Sequence, residues 1–446
     1  MRNYELEVPI SKNNEALEKE DNKCITCGYC KDVCKNDITV ARMFEISPDR
    51  EPICINCGQC SIICPTEAIH EKFDYLKVKN ILHDKENRKV VFSIAPAVRV
   101  ALSEEFGLKG NNFEGKIAAA LKNIGADYVF DITFGADLTI MEEAMELVKR
   151  IQKNERLPQF TSCCPAWVKY CEIFYPELIP NLSSVKSPIA MQSTLIKTYF
   201  AEKQNLNSEE IVNIVVAPCT AKKSEVKRKE LNKTECDTDF LLTTRELAML
   251  LKEENVDIAN LEDAKYDSPL GTGSGAGVIF GSTGGVCEAA LRTAYYFITG
   301  TNLEKDALNF HAIRGTEGIK EAEIQINDIK VRVAVCNGMK NAKELIDRLL
   351  RKEVYYDFIE VMNCIGGCIA GGGQPKMTLL ETSDTKEIRM KELYDEDEKM
   401  TLRLCHENPE IVSIYKDYLK FPNSEIAEEL LHTVYFDKSY MLGGNK

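Results

Sequence analysis

The sequence has no apolar run long enough to cross a bilayer as a helix, few histidines, and less positive than negative charge. Each shortage removes a class of function. A helical membrane span needs about 20 consecutive apolar residues, so no membrane insertion is expected. The opening segment, MRNYELEVPISKNNEALEKEDNK, is too polar for a secretory signal. Fifty-six Lys and Arg against 70 Asp and Glu leave a net charge of −14. That balance argues against nucleic acid as a partner, because phosphate binding draws on clustered cations. Five histidines make zinc sites of mixed His/Cys type a poorer account of any metal chemistry than all-thiolate sites.

Cysteine is what the chain has in excess: 18 in 446 residues. A secreted disulfide scaffold is short and Cys-dense throughout. Here the cysteines cluster in a long chain without a signal, which predicts metal ligation by thiolates in a reducing, cytoplasmic compartment. The length predicts two or three domains. Apolar content of 44% and charged content of 28% are those of a globular protein.

One internal repeat stands out. CITCGYCKDVCKNDI (24–38) recurs as CINCGQCSIICPTEAI (54–69), offset by thirty residues, and each copy is C-x2-C-x2-C-x3-C. In such doubled runs the fourth Cys of each copy ligates the other cluster. Cys24, Cys27, Cys30 and Cys64 are therefore assigned to one [4Fe–4S] cluster, and Cys54, Cys57, Cys60 and Cys34 to a second. Pro follows Cys64 as usual, whereas Lys35 follows Cys34. The alternative, a zinc ribbon, fits the doubled spacing less well. Residues 1–80 are read as an α+β ferredoxin-like domain with two [4Fe–4S] clusters, and the charged segment KFDYLKVKNILHDKENRK (72–89) as a connector across its boundary.

Residues 81–446 read as an α/β catalytic domain, with parallel or mixed sheets flanked by helices and a helical tail from about Arg389 to Phe436. VVFSIAP, ADYVFDITF, IVNIVVAPC, KVRVAVC and YDFIEVMNC are short Val- and Ile-rich runs that predict strands. EEAMELVKRIQKN, TRELAMLLKEEN, GVCEAALRTAYYFI and AKELIDRLLRKE predict the helices between them. Cys164, Cys219 and Cys364 each follow a strand-like run, and Cys368 lies a short Gly-rich loop beyond. Functional groups in α/β sheets gather outside the carboxyl ends of strands, so these four can meet around one cluster. Cys171, Cys236, Cys287 and Cys405 read instead as buried small hydrophobes. The loop CIGGCIAGGGQP lets backbone approach a bulky ligand and turns N–H groups toward cluster sulfurs.

TSCCPAW, APCTAKKSE and MNCIGGCIAGGGQP resemble the three signature motifs of the [FeFe]-hydrogenases. SIAPAVRVALSEEFG, FGADLTIMEEAMELV, FGSTGGVCEAALRTA and HENPEIVSIYKDYL are similar to further stretches of that family. The resemblance implies reversible H2 oxidation and proton reduction at an H-cluster, a cubane joined through one cysteine to a two-iron unit with CO, CN⁻ and azadithiolate. It implies that Cys164, Cys219, Cys364 and Cys368 hold the cubane and that Cys368 bridges to the two-iron unit. Lys222 then contacts a cyanide ligand, with Ala95, Pro96, Met362 and Phe280 among the other residues binding the cofactor. It implies H2 and protons as substrates, a ferredoxin-like redox carrier and maturation proteins as partners. Three positions depart from the better-known members: Ala97, Ala217 and Ile189 replace Ser, Met and Gln.

The resemblance also implies a proton relay from Cys163 to Glu143, Ser183, Glu146 and Arg150. Residues 143, 146 and 150 share one helical face by spacing; without the resemblance, a solvated stripe is the simpler reading. Consecutive residues of a strand point to opposite sides, which sets Cys163 apart from the ligand Cys164. Three rival readings compete with this one: an iron–sulfur assembly or prelamin-recognition relative, an H2 sensor, and a plain electron carrier. The intact TSCCP and GGGQP, the lack of an added signalling domain, and the large second domain weigh against them in turn.

Overall fold

Val- and Ile-rich runs become the inner strands of two four-stranded sheets in the computed structural model, which describes residues 6–44, 51–377 and 382–443. The strands are β1 (Leu17–Lys19), β2 (Ile69–Glu71), β3 (Lys89–Ile94), β4 (Tyr128–Asp131), β5 (Gln159–Phe160), β6 (Ile211–Ala217), β7 (Phe240–Thr243), β8 (Ile319–Ile326), β9 (Ile329–Asn337) and β10 (Phe358–Met362). One sheet, ordered β4-β3-β6-β7, is parallel throughout. The other, ordered β5-β10-β9-β8, is parallel except for the β8/β9 pair. Every residue of β6 and of β10 is buried, as expected where helices cover both faces of a parallel sheet. The two sheets turn the carboxyl ends of β5, β6 and β10 toward one another, and a loop with cysteine follows each.

Within residues 6–71, β1 and β2 form an antiparallel pair, and short helices (Tyr29–Asn36 and Gln59–Ile62) follow the first two cysteines of each run and carry the third, Cys30 and Cys60. The repeat extends to the backbone. Thr26 and Asn56 have φ of 51° and 62°, and Gly28 and Gly58 have φ of 89° and 69°. At Gly58 a side chain is also sterically barred: an added Cβ would lie 3.1 Å from Gly372 Cα and 2.4 Å from Thr220 Oγ1. At Gly372 it would lie 2.2 Å from Cys57 O. The two glycines press the cysteine-rich segment against the 371–373 loop.

Several boundaries differ from the sequence reading. ADYVFDITF is not one strand. The Asp131 side chain accepts from Thr133 N and caps a 22-residue helix, Ile132–Lys153, so the chain turns helical at an Asp that suits an N-cap. The connector contains the helix Tyr75–His83. β5 stops at Phe160, so Cys163 and Cys164 lie on a loop and alternation along a strand does not separate them. The tail is mostly helix, as read, in separate pieces: Thr382–Lys399, Pro409–Ile414 followed by a π-turn, and Glu425–Leu431, then extended chain at His432. Cys171, Cys287 and Cys405 are buried, but Cys236 is exposed; it sits in the polar loop before β7, with its thiol on Thr238 O at 3.1 Å.

Candidate active site

The cysteines of the N-terminal segment sort into two cavities. Cys24, Cys27, Cys30 and Cys64 line one, and Cys34, Cys54, Cys57 and Cys60 line the other. Cys27 is exposed and Cys60 is buried, so one set lies toward the surface and the other toward the interior.

A third, apolar cavity lies between the two large sheets. Cys164, Cys219, Cys364 and Cys368 line it, together with Cys163 and Lys222. Cys164 takes the N-cap position of the helix Pro165–Phe174; Cys219 follows β6 and Cys364 follows β10. Gly366 and Gly367, with φ of 102° and 93°, turn the chain back so that Cys368 faces the same space. Ala95, Pro96, Met362 and Phe280 line the wall, as do Ala97, Ala217 and Ile189. Cys57 lines both this cavity and the inner N-terminal one.

The donor chemistry suits a cluster. Burial pushes the thiols of Cys219 and Cys364 up to about 12, and neighbouring thiols add to the rise. Positive charge centred among the four would relieve both effects. Among the described residues no three Cys, His, Asp or Glu converge on one point that a lone metal ion would fill. Sets of thiols around a volume suit an iron–sulfur cluster, which thiolates hold.

Lys222 is 7% exposed and donates to Glu225 Oε2 at 2.6 Å and to Cys163 O at 3.0 Å. Against the cost of burial, the Glu225 carboxylate holds its pKa above the ordinary lysine value. An ammonium has three donors, so this buried cation at the cavity wall suits an anionic ligand. Asn363 Nδ2 donates to Cys364 Sγ at 3.4 Å, while its Oδ1 has no partner among the described residues.

Glu143 is buried close to Cys163, and one of its oxygens has no partner among the described residues. Burial first, then the neighbouring Glu146 charge, push its pKa up to about 8. Ser183 Oγ donates to Glu146 Oε2 at 2.7 Å, and Arg150 Nη2 to Glu146 Oε1 at 2.7 Å. Arg150 also donates to the carbonyls of Arg156, Asn181 and Leu182.

Sequence reasoning missed three contributors, and the position of a fourth residue, Cys57, which it had named as a ligand. Glu225, the partner of Lys222, was within reach of an i, i+3 argument. Gln59 donates to Cys364 Sγ at 3.2 Å and to Ala370 O at 3.0 Å. Glu360, buried on β10, accepts from Gly284 N at 2.6 Å and Cys287 N at 2.8 Å, tying that strand to the first turn of the helix Gly285–Thr299. Cys57 carried no sign of its place at two cavities.

Comparison with known proteins agrees with this architecture. The family model described as "Iron only hydrogenase large subunit, C-terminal domain" matches residues 88–372, and "Iron hydrogenase small subunit" matches residues 383–438. Iron hydrogenase 1 of Clostridium pasteurianum is 42% identical over 443 residues, covering 96% of this chain and 77% of that protein. The periplasmic [Fe] hydrogenase large subunit of Nitratidesulfovibrio vulgaris is 42% identical over 398 residues, covering 87% of this chain and 94% of its own. A solved structure of the apo [FeFe]-hydrogenase HydA1 from Chlamydomonas reinhardtii aligns with a TM-score of 0.72 at 41% identity, over 82% of this chain and 99% of that one. Two family models that run from residue 88 to residue 438 and identities above 40% over most of the length place the chain in the iron-only, or [FeFe], hydrogenase family, enzymes of H2 oxidation and proton reduction.

Proposed function

We propose that this hydrogenase is organised as a ferredoxin-like domain (1–80) that wires a catalytic domain (81–446) to an external carrier of ferredoxin type. The observation that carries the reading is the ring of Cys164, Cys219, Cys364 and Cys368 in an apolar cavity that also holds Lys222 and Cys163. Those four cysteines would hold the cubane of an H-cluster. The two-iron unit would sit against Lys222, Ala95, Pro96, Met362 and Phe280. When bound, the group supplies the metal centre at which H2 is cleaved or formed. Maturation proteins must load it.

The chain's own residues do the rest. Apolar walls exclude water and preserve the strength of polar contacts. Lys222, fixed by Glu225, offers a positive charge to an anionic ligand. Cys24, Cys27, Cys30 and Cys64 would hold an outer [4Fe–4S] cluster, and Cys34, Cys54, Cys57 and Cys60 an inner one. Cys57 then brings the inner cluster to the wall of the catalytic cavity. Protons travel between Cys163 and the outside by way of Glu143, Ser183, Glu146 and the Arg150 end of the helix. No helix among the described residues is long and apolar enough to cross a membrane.

Infrared spectroscopy of the matured protein tests this reading, together with iron counting on the full chain and on a chain lacking residues 1–80. Metal-bound CO and CN⁻ bands are expected in the full chain, and a loss of eight irons on truncation. Correctly matured protein without those bands, or an unchanged iron content, would overturn it.

A further inference from the structure

The relay proposed above needs a mobile proton at Glu146. Arg150 holds that carboxylate in place but does not supply the proton, since a guanidinium is not deprotonated in proteins. Its nitrogens are also committed to Glu146 and to three backbone carbonyls. Both Glu146 oxygens already accept from Arg150, Ser183 or Ser184. One further donor chain reaches Glu146. Ser184 Oγ donates to Glu146 Oε1 at 3.3 Å, and the same oxygen lies 2.8 Å from His432 Nδ1.

His432 is held in register by the fold. It pairs with Val185 in an isolated antiparallel bridge, flanked by Lys186 N→Leu431 O at 2.8 Å and Thr433 N→Ser184 O at 2.7 Å. On the other side of the ring, His432 Nε2 lies 3.0 Å from Glu142 Oε2. Glu142 is fully buried and is fixed by Tyr415 Oη and by Asn423 N at 2.7 Å. The charged and titratable groups facing this ring and its serine are thus Glu142, Glu146 and Arg150 of the long helix, and Tyr415 of the tail. The His432 side chain is 12% exposed, so its edge meets solvent. An imidazole can carry a proton on either ring nitrogen, and here each nitrogen faces a partner.

We propose that His432 delivers protons to Glu146 through the Ser184 hydroxyl, as a second outer arm of the relay. Glu142 accepts from Nε2–H and leaves Nδ1 toward Ser184. In the charged ring, the Nδ1–H bond breaks as its proton moves to Ser184 Oγ, and the Ser184 proton moves to Glu146 Oε1. The products are a neutral ring, an intact serine and a protonated Glu146. Rotation of the hydroxyl and uptake of a proton from water at the ring restore the start. In H2 oxidation the steps run in reverse. His432 acts through Glu146 and touches no reacting atom, so it is a positioning and relay residue.

This arm rests on the relay reading, and the experiment separates the two. His432→Gln keeps an amide for Glu142 but carries no proton; Ser184→Ala cuts the link while leaving the His432–Glu142 pair. Each is compared with Glu146→Gln in matured full-length enzyme at equal cofactor content. Both variants should slow turnover roughly tenfold, most strongly at neutral and higher pH, where free protons are scarce. Added imidazole should restore the rate of His432→Ala. In the full chain before maturation, ¹⁵N-histidine NMR should show His432 signals that move on Ser184→Ala and on Glu146→Gln. Unchanged turnover and pH profile in His432→Gln, with Glu146→Gln slow, would remove the arm and leave the relay. A slow His432→Gln beside a normal Ser184→Ala would make His432 a mere brace for Glu142 and overturn the proposal. Normal turnover in Glu146→Gln would remove relay and arm together.

Discussion

The side-chain amide of Gln59 donates to Cys364 Sγ at 3.2 Å, across a separation of 305 residues. Gln59 lies between Cys57 and Cys60, so one hydrogen bond joins the inner N-terminal cysteines to the catalytic ring. A donor on a ligand sulfur favours the reduced, more negative form of a cluster. Gln59→Leu should therefore lower the midpoint potential of the catalytic cubane by tens of millivolts. If the bond is worth about 1 kcal/mol, the shift is on the order of 40 mV for one electron. Redox titration followed by electron paramagnetic resonance checks this; equal midpoints in variant and parent would show that the contact is electronically silent.

Glu143 carries a sign that can be worked out. Its carboxyl ordinarily ionises near 4.5, and burial followed by the Glu146 charge raises this to about 8 in the fold. Between those values the folded chain holds a proton that the unfolded chain has lost. Its contribution to stability therefore falls as pH rises from 4.5 toward 8 and is flat above. Glu143→Gln should flatten that part of the stability-versus-pH curve and, with Cys163→Ala, abolish nearly all turnover while leaving iron content intact. A Glu143→Gln curve parallel to the parent's between pH 5 and 8 would contradict the assignment.

The motifs made of neighbouring residues were legible because chemistry and spacing are local. Four thiols within eleven residues declare themselves, as do Lys222 after Cys219 and the glycines around Cys368. The parallel sheets were legible from the Val/Ile runs, apart from short edge pieces such as β5 and β7 that carry little pattern. Gln59 and His432 were not, because what they touch depends on the chain returning from 305 and 248 residues away. The helix beginning at Ile132 was misread for a different reason: ITF has strand propensity, and the Asp131 cap and tertiary burial override it.

A buried ion pair fastens the N-terminal segment to the α/β part of the chain. Arg245 binds the Glu71 carboxylate and also donates to the carbonyls of Gly372 and Gln374. Burial works against the charged form, but Arg245 outweighs it and holds Glu71 below the usual carboxylate range. That contribution is present above the ordinary value and is lost as pH falls through the lowered one. Glu71→Ala, which strands Arg245, should cost about 3–5 kcal/mol in chemical unfolding. Glu71→Ala combined with Arg245→Met should cost less than Glu71→Ala alone; an equal or greater loss would mean that the pair itself, rather than the stranded charge, sets the penalty.

Ala97, Ala217 and Ile189 all line the catalytic cavity. The resemblance sets Ser, Met and Gln at these positions in the better-known members, and we propose that the smaller or less polar side chains here would leave this wall with fewer contacts to a bound cofactor. Ala97→Ser with Ala217→Met should shift the infrared CO and CN⁻ bands and the potential of the cofactor's reduction. Both alanines are almost wholly buried, and extra volume in a packed site costs about 1–3 kcal/mol, so cofactor content is measured alongside. Unmoved bands at equal content would free these positions of any tuning role.

The backbone contact between Gly58 and Gly372 bears on how such a chain can be rebuilt. Any electron-transfer module transplanted into this place must present bare backbone at the position of Gly58, in a left-handed turn, and must meet a loop equally bare at Gly372. A single methyl on either side opens the seam that sets Gln59 against Cys364. The two halves are therefore exchangeable only as a matched pair, and recombination between relatives should succeed where the crossover leaves both glycines facing each other.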